Sequence, residues 1–272
     1  MASPGTPSQS GSAVHPWDFA ALTDAGRVRA NNEDAVAFDA PLGLAILADG
    51  MGGYNGGEVA SGMAIALLQA SIGRWLAHAG PQANSRGVRR AMQAGVDEAN
   101  LAILEAGVAN MQLQGMGTTL VAAVFGPQRV VVGHIGDSRC YRLRGQSLEQ
   151  LTRDHSLLQE QLDAGVLTLE QAARSPIRNL VTRAVGIERQ VLLEMHEYDA
   201  EPGDLYLLCS DGLSEMVSDE QLFTVLLQDT ELSEKATLLV SIANENGGRD
   251  NISVVLAQAA GISAAPDVEV RV

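Results

Sequence analysis

The alternation of apolar and polar residues along the chain predicts short strands interrupted by two pairs of helices. Apolar runs of strand length cover residues 17–22, 35–38, 44–48, 120–125, 130–135, 205–209 and 252–257. Apolar residues at helical spacing predict helices over 59–78 and 88–106, and further helices over 218–227 and 233–243. Helix pairs of this kind normally cover a sheet, so we expect each pair to pack on strands.

One stretch, Leu44–Ser61, joins an apolar strand to the first helix through a glycine-rich turn and places Asp49 at the end of the strand. A carboxylate buried there is costly unless it is paired, so a cation is the expected partner. A Walker phosphate loop would need Lys-Ser or Lys-Thr where Glu58 stands. A dinucleotide fingerprint would need glycine at Asn55. A tight turn with an isolated aspartate is the alternative that this stretch alone leaves open.

Composition and charge narrow the classes of protein further. The 272 residues are 46% hydrophobic, which suits one large domain or two small ones. The formal net charge of −15 argues against nucleic acid and against anionic membranes as partners. Residues 1–16 lack the features of a signal peptide, and no apolar run approaches a membrane span, so we expect a cytoplasmic protein. Cys140 and Cys209 lie far apart in apolar runs and are expected to be core residues.

Five carboxylates stand at the ends of predicted strands: Asp49, Asp137 and Asp211 follow a strand, whereas Asp34 and Asp250 precede one. In an antiparallel sheet the end of one strand meets the start of its neighbour, so all five can gather at one edge. Oxygen ligands favour Mg²⁺, Mn²⁺ or Ca²⁺ over zinc. Two such ions bridged by a carboxylate, for which Asp49 is the best candidate, would hold a hydroxide for in-line attack on phosphorus. Ordinary turn chemistry is the alternative interpretation.

An anion-binding group is expected beside such a centre. Arg29 lies four residues before Glu33, and its planar guanidinium suits a phosphoryl group. A surface arginine without a function in binding is the alternative for Arg29, and Arg27 is the less favoured phosphate-binding candidate.

Six motifs, in order, resemble the metal-dependent Ser/Thr protein phosphatases of the PPM/PP2C family in their compact bacterial form. They are RANNED (29–34), ADGMGG (48–53) with GEVAS (57–61), GMGTT (115–119), GDSR (136–139), CSDGL (209–213) and RDN (249–251). The resemblance extends from about residue 17 to residue 258. It implies an α+β fold, a four-layer α/β/β/α sandwich of two antiparallel sheets between helix pairs, with metals at one end.

The resemblance also implies a set of metal ligands and a cofactor, Mn²⁺ or Mg²⁺. Asp49 would bridge two ions, and Gly50 would offer its carbonyl to one of them. Asp211 and Asp250 would hold the other ion. Asp137 would help Asp211 to hold a weaker third ion.

The remaining implied roles concern the substrate and the leaving group. Glu33 and Asp34 would act mainly through metal-bound water, and Arg29 would bind the substrate phosphate. Met51 stands where many eukaryotic members have a histidine assigned as general acid, although many bacterial members also have methionine there. The proton donor is therefore unassigned; water on the third metal is our leading hypothesis, and His155 is the alternative.

The sequence divides into three expected segments. Residues 1–16 are expected to be a disordered leader, residues 17–259 the phosphatase domain, and residues 260–272 a C-terminal tail. Within the domain, residues 151–186 match the family's variable flap, with one helix capped near Ser156 and a second starting at Thr168.

The function implied is hydrolysis of phosphoserine and phosphothreonine in proteins. The expected partners are phosphorylated proteins, including a Ser/Thr kinase and its substrates, and the chain is expected to be a monomer. Two alternatives are a pseudophosphatase that holds a phosphoprotein without turnover and a phosphatase restricted to a regulatory switch protein. Loss of metal ligands would indicate the pseudophosphatase, and here none is missing.

Overall fold

Two antiparallel sheets form the centre of the molecule. The computed structural model of the chain describes residues 17–53, 56–80, 83–168, 171 and 180–260. The first sheet has the order β1 (Trp17–Asp24), β11 (Ile252–Ala259), β10 (Leu205–Cys209), β7 (Arg139–Arg144), β8 (Ser147–Gln150). The second has the order β2 (Asp34–Asp39), β3 (Leu44–Met51), β5 (Leu120–Phe125), β6 (Arg129–Ile135), β9 (Glu194–Asp199), and β4 (Gly117–Thr118) pairs with β3.

Helices cover the outer face of each sheet. Helices α1 (Gly56–Ala79) and α2 (Ser85–Ala109) pack on the second sheet, and α5 (Asp219–Leu226) and α6 (Leu232–Glu245) pack on the first. Two shorter helices, α3 (Leu157–Asp163) and α4 (Asp211–Ser214), follow β8 and β10. Short 3₁₀ turns cover Ala40–Leu42 and Met111–Leu113.

The strand β3 shows why its sequence is apolar without alternation. Leu44, Ile46 and Ala48 pack in the cluster under the helices, whereas Ala45 and Leu47 pack between the two sheets. A strand covered on both faces must be apolar at every position, and Leu44–Ala48 is buried throughout. The expected four-layer α/β/β/α sandwich is therefore confirmed.

Aromatic rings fill the layer between the sheets. The Trp17 and Phe125 ring centroids are 4.8 Å apart, and Tyr206 makes T-shaped contacts with both rings. The Trp17 indole N–H donates a 2.9 Å hydrogen bond to the carbonyl of Gly126. Gly126 lies in the turn that joins β5 to β6, so this bond holds β1 against a central hairpin.

Helix α1 is long and apolar enough to cross a membrane by length and composition, which corrects the expectation that no segment approaches a span. In the fold it is a core helix. Ala60, Ala64 and Leu68 are fully buried in the cluster that α1 shares with β3 and α2. The apolar composition is therefore explained by packing on both a sheet and a neighbouring helix.

The predicted elements are found with equal or longer ends, except that α5 is one residue shorter at each end than predicted, and three points need correction. The strands β8 and β9 were not predicted. Asp49 lies within β3, two residues before its end at Met51, rather than after it. Asp34 is the first residue of β2 rather than the residue before it. Cys140 and Cys209 are buried and free, as expected.

The flap begins as predicted: the Ser156 hydroxyl accepts a hydrogen bond from the Gln159 N–H and caps α3. Thr168 and Gln171 exchange the two hydrogen bonds of a capping box. Most of the second predicted flap helix lies outside the described residues, as do the expected leader 1–16 and all but the first residue of the expected tail.

Candidate metal centre

Five aspartates converge where the two sheets meet: Asp34, Asp49, Asp137, Asp211 and Asp250. We call this set the carboxylate edge. Asp34 and Asp49 are direct register partners on β2 and β3. The other four aspartates all act electrostatically on Asp49. The structure therefore brings together the five carboxylates that the strand ends predict to meet at one edge.

The backbone of Asp49 is held by residues of the GMGTT motif. The Thr118 hydroxyl and the Thr119 N–H both donate to the Asp49 carbonyl, each at 2.8 Å. The Thr119 hydroxyl accepts from the Asp49 N–H at 3.1 Å and lies 2.7 Å from the Ser138 hydroxyl. This chain of contacts fixes Asp49 relative to the turn that carries Asp137.

Ser210 and Asn251, each next to a proposed ligand in the sequence, hold the side of the carboxylate edge where Glu33 and Asp34 lie. The Ser210 hydroxyl donates to Asp34 Oδ2 at 2.8 Å and accepts from the Ser253 N–H. Asn251 accepts from the Glu33 N–H at 2.8 Å, and its amide donates to the carbonyls of residues 25 and 31. These bracing roles were not predicted, although each residue directly follows or precedes an aspartate of the carboxylate edge.

Two glycines allow backbone segments to approach each other closely beside the carboxylate edge. A β-carbon on Gly50 would overlap the carbonyl of Gly57 and crowd that of Glu33. A β-carbon on Gly212 would overlap the carbonyl of Asn251. The glycines of ADGMGG and SDGL are therefore needed for close packing around the acidic residues.

The electrostatics of the carboxylate edge are unfavourable without a cation. Burial raises the pKa of Asp34 to about 6 and, reinforced by Asp154, raises the pKa of Asp137 to about 6. Burial and repulsion by neighbouring aspartates raise the pKa of Asp49 and Asp211 well above the ordinary range. A divalent cation would balance this charge.

The donor set fits Mg²⁺ or Mn²⁺. Asp34 Oδ1 is buried without a hydrogen-bond partner among the described residues, which leaves a carboxylate oxygen free for an ion or its water. The converging groups are carboxylates, and hard oxygen donors suit these two ions.

Arg29 lies at the mouth of the centre. Its Nη2 is 2.6 Å from Asp250 Oδ2, and its side chain is 53% exposed. Burial raises the pKa of Glu33, which the Arg29 charge partly offsets. The structure therefore places Arg29 and Glu33 with the carboxylate edge, as expected from their spacing.

A second polar group lies at the base of the flap: His134, Arg139, Asp154, His155 and Glu194, which we call the flap-base cluster. Arg139 binds Asp154 through three hydrogen bonds of 2.9, 3.1 and 2.7 Å. The Gly136 N–H donates to His155 Nδ1, so the ring proton lies on Nε2, 3.1 Å from Glu194.

The hydrogen bonds and ring contacts of the two histidines bear on whether they could bind a metal. The His134 and His155 rings stack with centroids 4.6 Å apart, and His134 Nε2 lies 2.7 Å from the carbonyl of Arg153. The two histidines and Glu194 are close enough to hold a metal. However, a protonated Nε2 cannot also be a ligand, so the hydrogen bonds of His155 favour a structural role.

Comparison with known proteins agrees with this geometry. The sequence model of the protein phosphatase 2C family matches residues 25–245. The chain is 39% identical to the serine/threonine phosphatase stp of Listeria welshimeri over 87% of this chain and 93% of that protein. It is 45% identical to the serine/threonine protein phosphatase PstP of Mycobacterium tuberculosis over 88% of this chain and 44% of PstP.

Solved structures agree as well. The crystal structure of the M. tuberculosis phosphatase PstP/Ppp superposes with a TM-score of 0.80 at 41% identity, over 90% of this chain and 99% of that one. A crystal structure of the PstP catalytic domain in complex with two manganese ions gives a TM-score of 0.78 at 40% identity, over 90% and 98% of the two chains.

The fold and the acidic centre therefore define a metal-dependent phosphatase of the α/β/β/α class. The chain belongs to the protein phosphatase 2C family. Within that family it is a serine/threonine protein phosphatase of the bacterial kind.

Proposed function

We propose that this phosphatase hydrolyses phosphoserine and phosphothreonine in proteins with Mn²⁺ or Mg²⁺ held at the carboxylate edge. The observation that carries the proposal is the convergence of five carboxylates, with Asp34 Oδ1 unpaired among the described residues. The manganese ions of the PstP structure support the choice of ion. When bound, such ions generate a nucleophile from water at neutral pH and neutralise phosphoryl charge.

The protein's own residues set the positions of the ions. Asp49, braced through its backbone, would bridge two ions, and the Gly50 carbonyl would bind one of them. Asp211 and Asp250 would hold the other ion. Asp137 would help Asp211 to bind a weaker third ion.

Two further carboxylates would orient water, and one arginine would orient the substrate. Asp34 and Glu33 would accept hydrogen bonds from water on the ions, because Asp34 is braced by Ser210 and Glu33 lies beside Gly57. Arg29 would bind the phosphate with its planar guanidinium, which also stabilises charge that develops on phosphoryl oxygens.

The test is a phosphopeptide assay across a Mn²⁺ titration with Asp49→Asn beside the wild type. We expect hydrolysis to require the ion and to stop on chelation. We also expect Asp49→Asn to lose about a thousandfold in kcat, because a bridging charge is removed. Calorimetric Mn²⁺ titration should show fewer bound ions in the variant. Unchanged ion binding with full activity would contradict the assignment.

Arg29→Ala provides a second test of the residue roles. We expect a higher KM and a lower kcat for phosphate esters while Mn²⁺ binding is retained, because a contact to phosphate strengthens in the transition state. Unchanged steady-state constants would remove Arg29 from the phosphate site.

The finer biological assignment is also a proposal. We infer that residues 17–259 form a monomeric cytoplasmic domain that acts on a Ser/Thr kinase and on the substrates of that kinase. The free, buried cysteines support a reducing compartment. The relatives named as serine/threonine protein phosphatases support phosphorylated proteins as substrates. Phosphoproteomics of a deletion strain beside a strain carrying Asp211→Asn would identify the substrates, and light scattering would give the oligomeric state.

A further inference from the structure

Two loops beside the carboxylate edge carry three arginines. Arg27 and Arg29 lie in the loop before β2, and Arg249 lies in the loop before β11. The Arg27 N–H donates a 2.7 Å hydrogen bond to the carbonyl of Gly248. Gly248 has a φ of +49°, and a β-carbon there would lie 2.8 Å from the Arg27 Cγ. The two loops are therefore joined at a point where only glycine fits.

Arg27 and Arg249 differ from Arg29 in having no ion pair among the described residues. Both are exposed. Asp24, at the start of the same loop as Arg27, already accepts hydrogen bonds from Gly26 and Asn244. We call Arg27 and Arg249 the arginine rim.

The arginine rim contrasts with the charge of the whole chain. The protein has 33 acidic and 18 basic residues. Five other arginines are neutralised by carboxylates: Arg129, Arg139, Arg142, Arg144 and Arg153. On an acidic surface that repels acidic ligands, free guanidinium groups next to the reaction centre provide local attraction.

We propose that the arginine rim binds an anionic side chain close to the phosphoresidue held by Arg29. The anion is a carboxylate or a second phosphate, because a guanidinium fork binds either with two hydrogen bonds. The preferred substrate class is therefore a phosphopeptide with an acidic or second phosphorylated residue close to the phosphate that is removed. This inference rests on the proposed phosphatase function and adds substrate selection to it.

The experiment compares a rim variant with a charge-matched control. The rim variant is Arg27→Gln with Arg249→Gln. The control is Arg86→Gln with Arg90→Gln, which removes the same charge from exposed positions on α2. Four substrates are assayed with Mn²⁺: nitrophenyl phosphate and three phosphopeptides of one sequence, with a neutral flank, an aspartate flank or a second phosphate.

We expect the wild type to prefer both anionic peptides and the rim variant to lose that preference. The expected loss in kcat/KM is about tenfold for the anionic peptides, mainly through KM, since exposed charged hydrogen bonds are of modest strength. Nitrophenyl phosphate and the neutral peptide should change less than about twofold. The preference should weaken as salt is raised, because exposed charges are screened.

Several outcomes separate the possibilities. A wild type that hydrolyses all peptides without preference would overturn the inference and leave the proposed function standing. A wild type inactive on every phosphopeptide would overturn the proposed function itself. Equal losses in the rim and control variants would assign the effect to net charge and overturn the inference. A preference for the second phosphate alone would support the inference and identify the anion as phosphate.

Discussion

The carboxylate edge and the flap-base cluster are neighbouring polar regions that balance their charges in opposite ways. In the flap-base cluster the Arg139 guanidinium donates hydrogen bonds to both carboxylate oxygens of Asp154, so the two charges balance each other. Although burial opposes it, hydrogen bonds from His196 and His155 lower the pKa of Glu194 to about 2. At the carboxylate edge, burial raises the pKa of four aspartates. Internally balanced charges stabilise a fold, whereas unbalanced charges create a site for ions.

The largest expected effect is the loss of activity caused by Asp211→Asn. Removing this charge should lower kcat/KM by about a thousandfold, because the proposed metal ligand and its electrostatic contribution are lost. The same change should raise the melting temperature of the chelated protein, since it relieves repulsion from Asp137 and Asp250. Steady-state kinetics and thermal unfolding in chelator would measure both. Retention of more than about a tenth of the activity would contradict the distinction between the two regions.

The balanced region should respond in the opposite way. Asp154→Asn leaves the Arg139 guanidinium without its partner and should cost about 2–3 kcal/mol of unfolding free energy. Chemical denaturation would measure the loss, and the number of bound Mn²⁺ ions should stay the same. The matched control is Asp199→Asn, whose pair with Arg129 is exposed and should matter by less than about 1 kcal/mol. Similar losses of unfolding free energy in both variants would show that the pair of Arg139 and Asp154 stabilises the fold no more than an exposed ion pair does.

The pH dependence of stability should sharpen the contrast further. In the folded protein the pKa of Asp34 is about 6, above its ordinary value of 3.8. The folded form therefore keeps a proton that the unfolded form releases, so the contribution of Asp34 to metal-free stability is fully present below about pH 4 and is lost as pH rises through 6. Each pKa unit corresponds to about 1.4 kcal/mol. The rise in melting temperature caused by Mn²⁺ should thus grow between about pH 4 and 7.

Asp34→Asn is the control for that measurement. It removes one titrating group, so the metal-free protein should show a shallower decline in stability over the same pH range. A melting-temperature rise from Mn²⁺ that is constant across the range would argue against a strained acidic centre.

The smallest expected effect is the one caused by replacing His155. His155→Ala removes the acceptor for the Gly136 N–H and should cost about 1–2 kcal/mol in stability. His155→Asn should recover part of this loss by offering another acceptor. Activity on phosphopeptides and on nitrophenyl phosphate should fall in equal proportion. A selective loss on phosphopeptides would instead identify His155 as the general acid.

The sequence predicts the carboxylate edge well because strand ends and aspartates are both visible in local patterns. It does not predict the braces, since Asn251 reaches residue 31 across 220 positions and Ser210 reaches Asp34 across 176. Such contacts depend on which strands become neighbours. The strand β9, EMHEYD, was missed because an edge strand that is only half-buried carries little apolar periodicity.

The 2.6 Å pair between Arg29 and Asp250 has a thermodynamic consequence. At the proposed site, a cation bound by Asp250 would compete with the guanidinium for the same carboxylate, and phosphate bound by Arg29 would compete with the carboxylate for the same guanidinium. Each ligand therefore releases the group that the other needs. Linkage requires the two effects to be equal, so phosphate should tighten Mn²⁺ binding by the factor by which Mn²⁺ tightens phosphate binding.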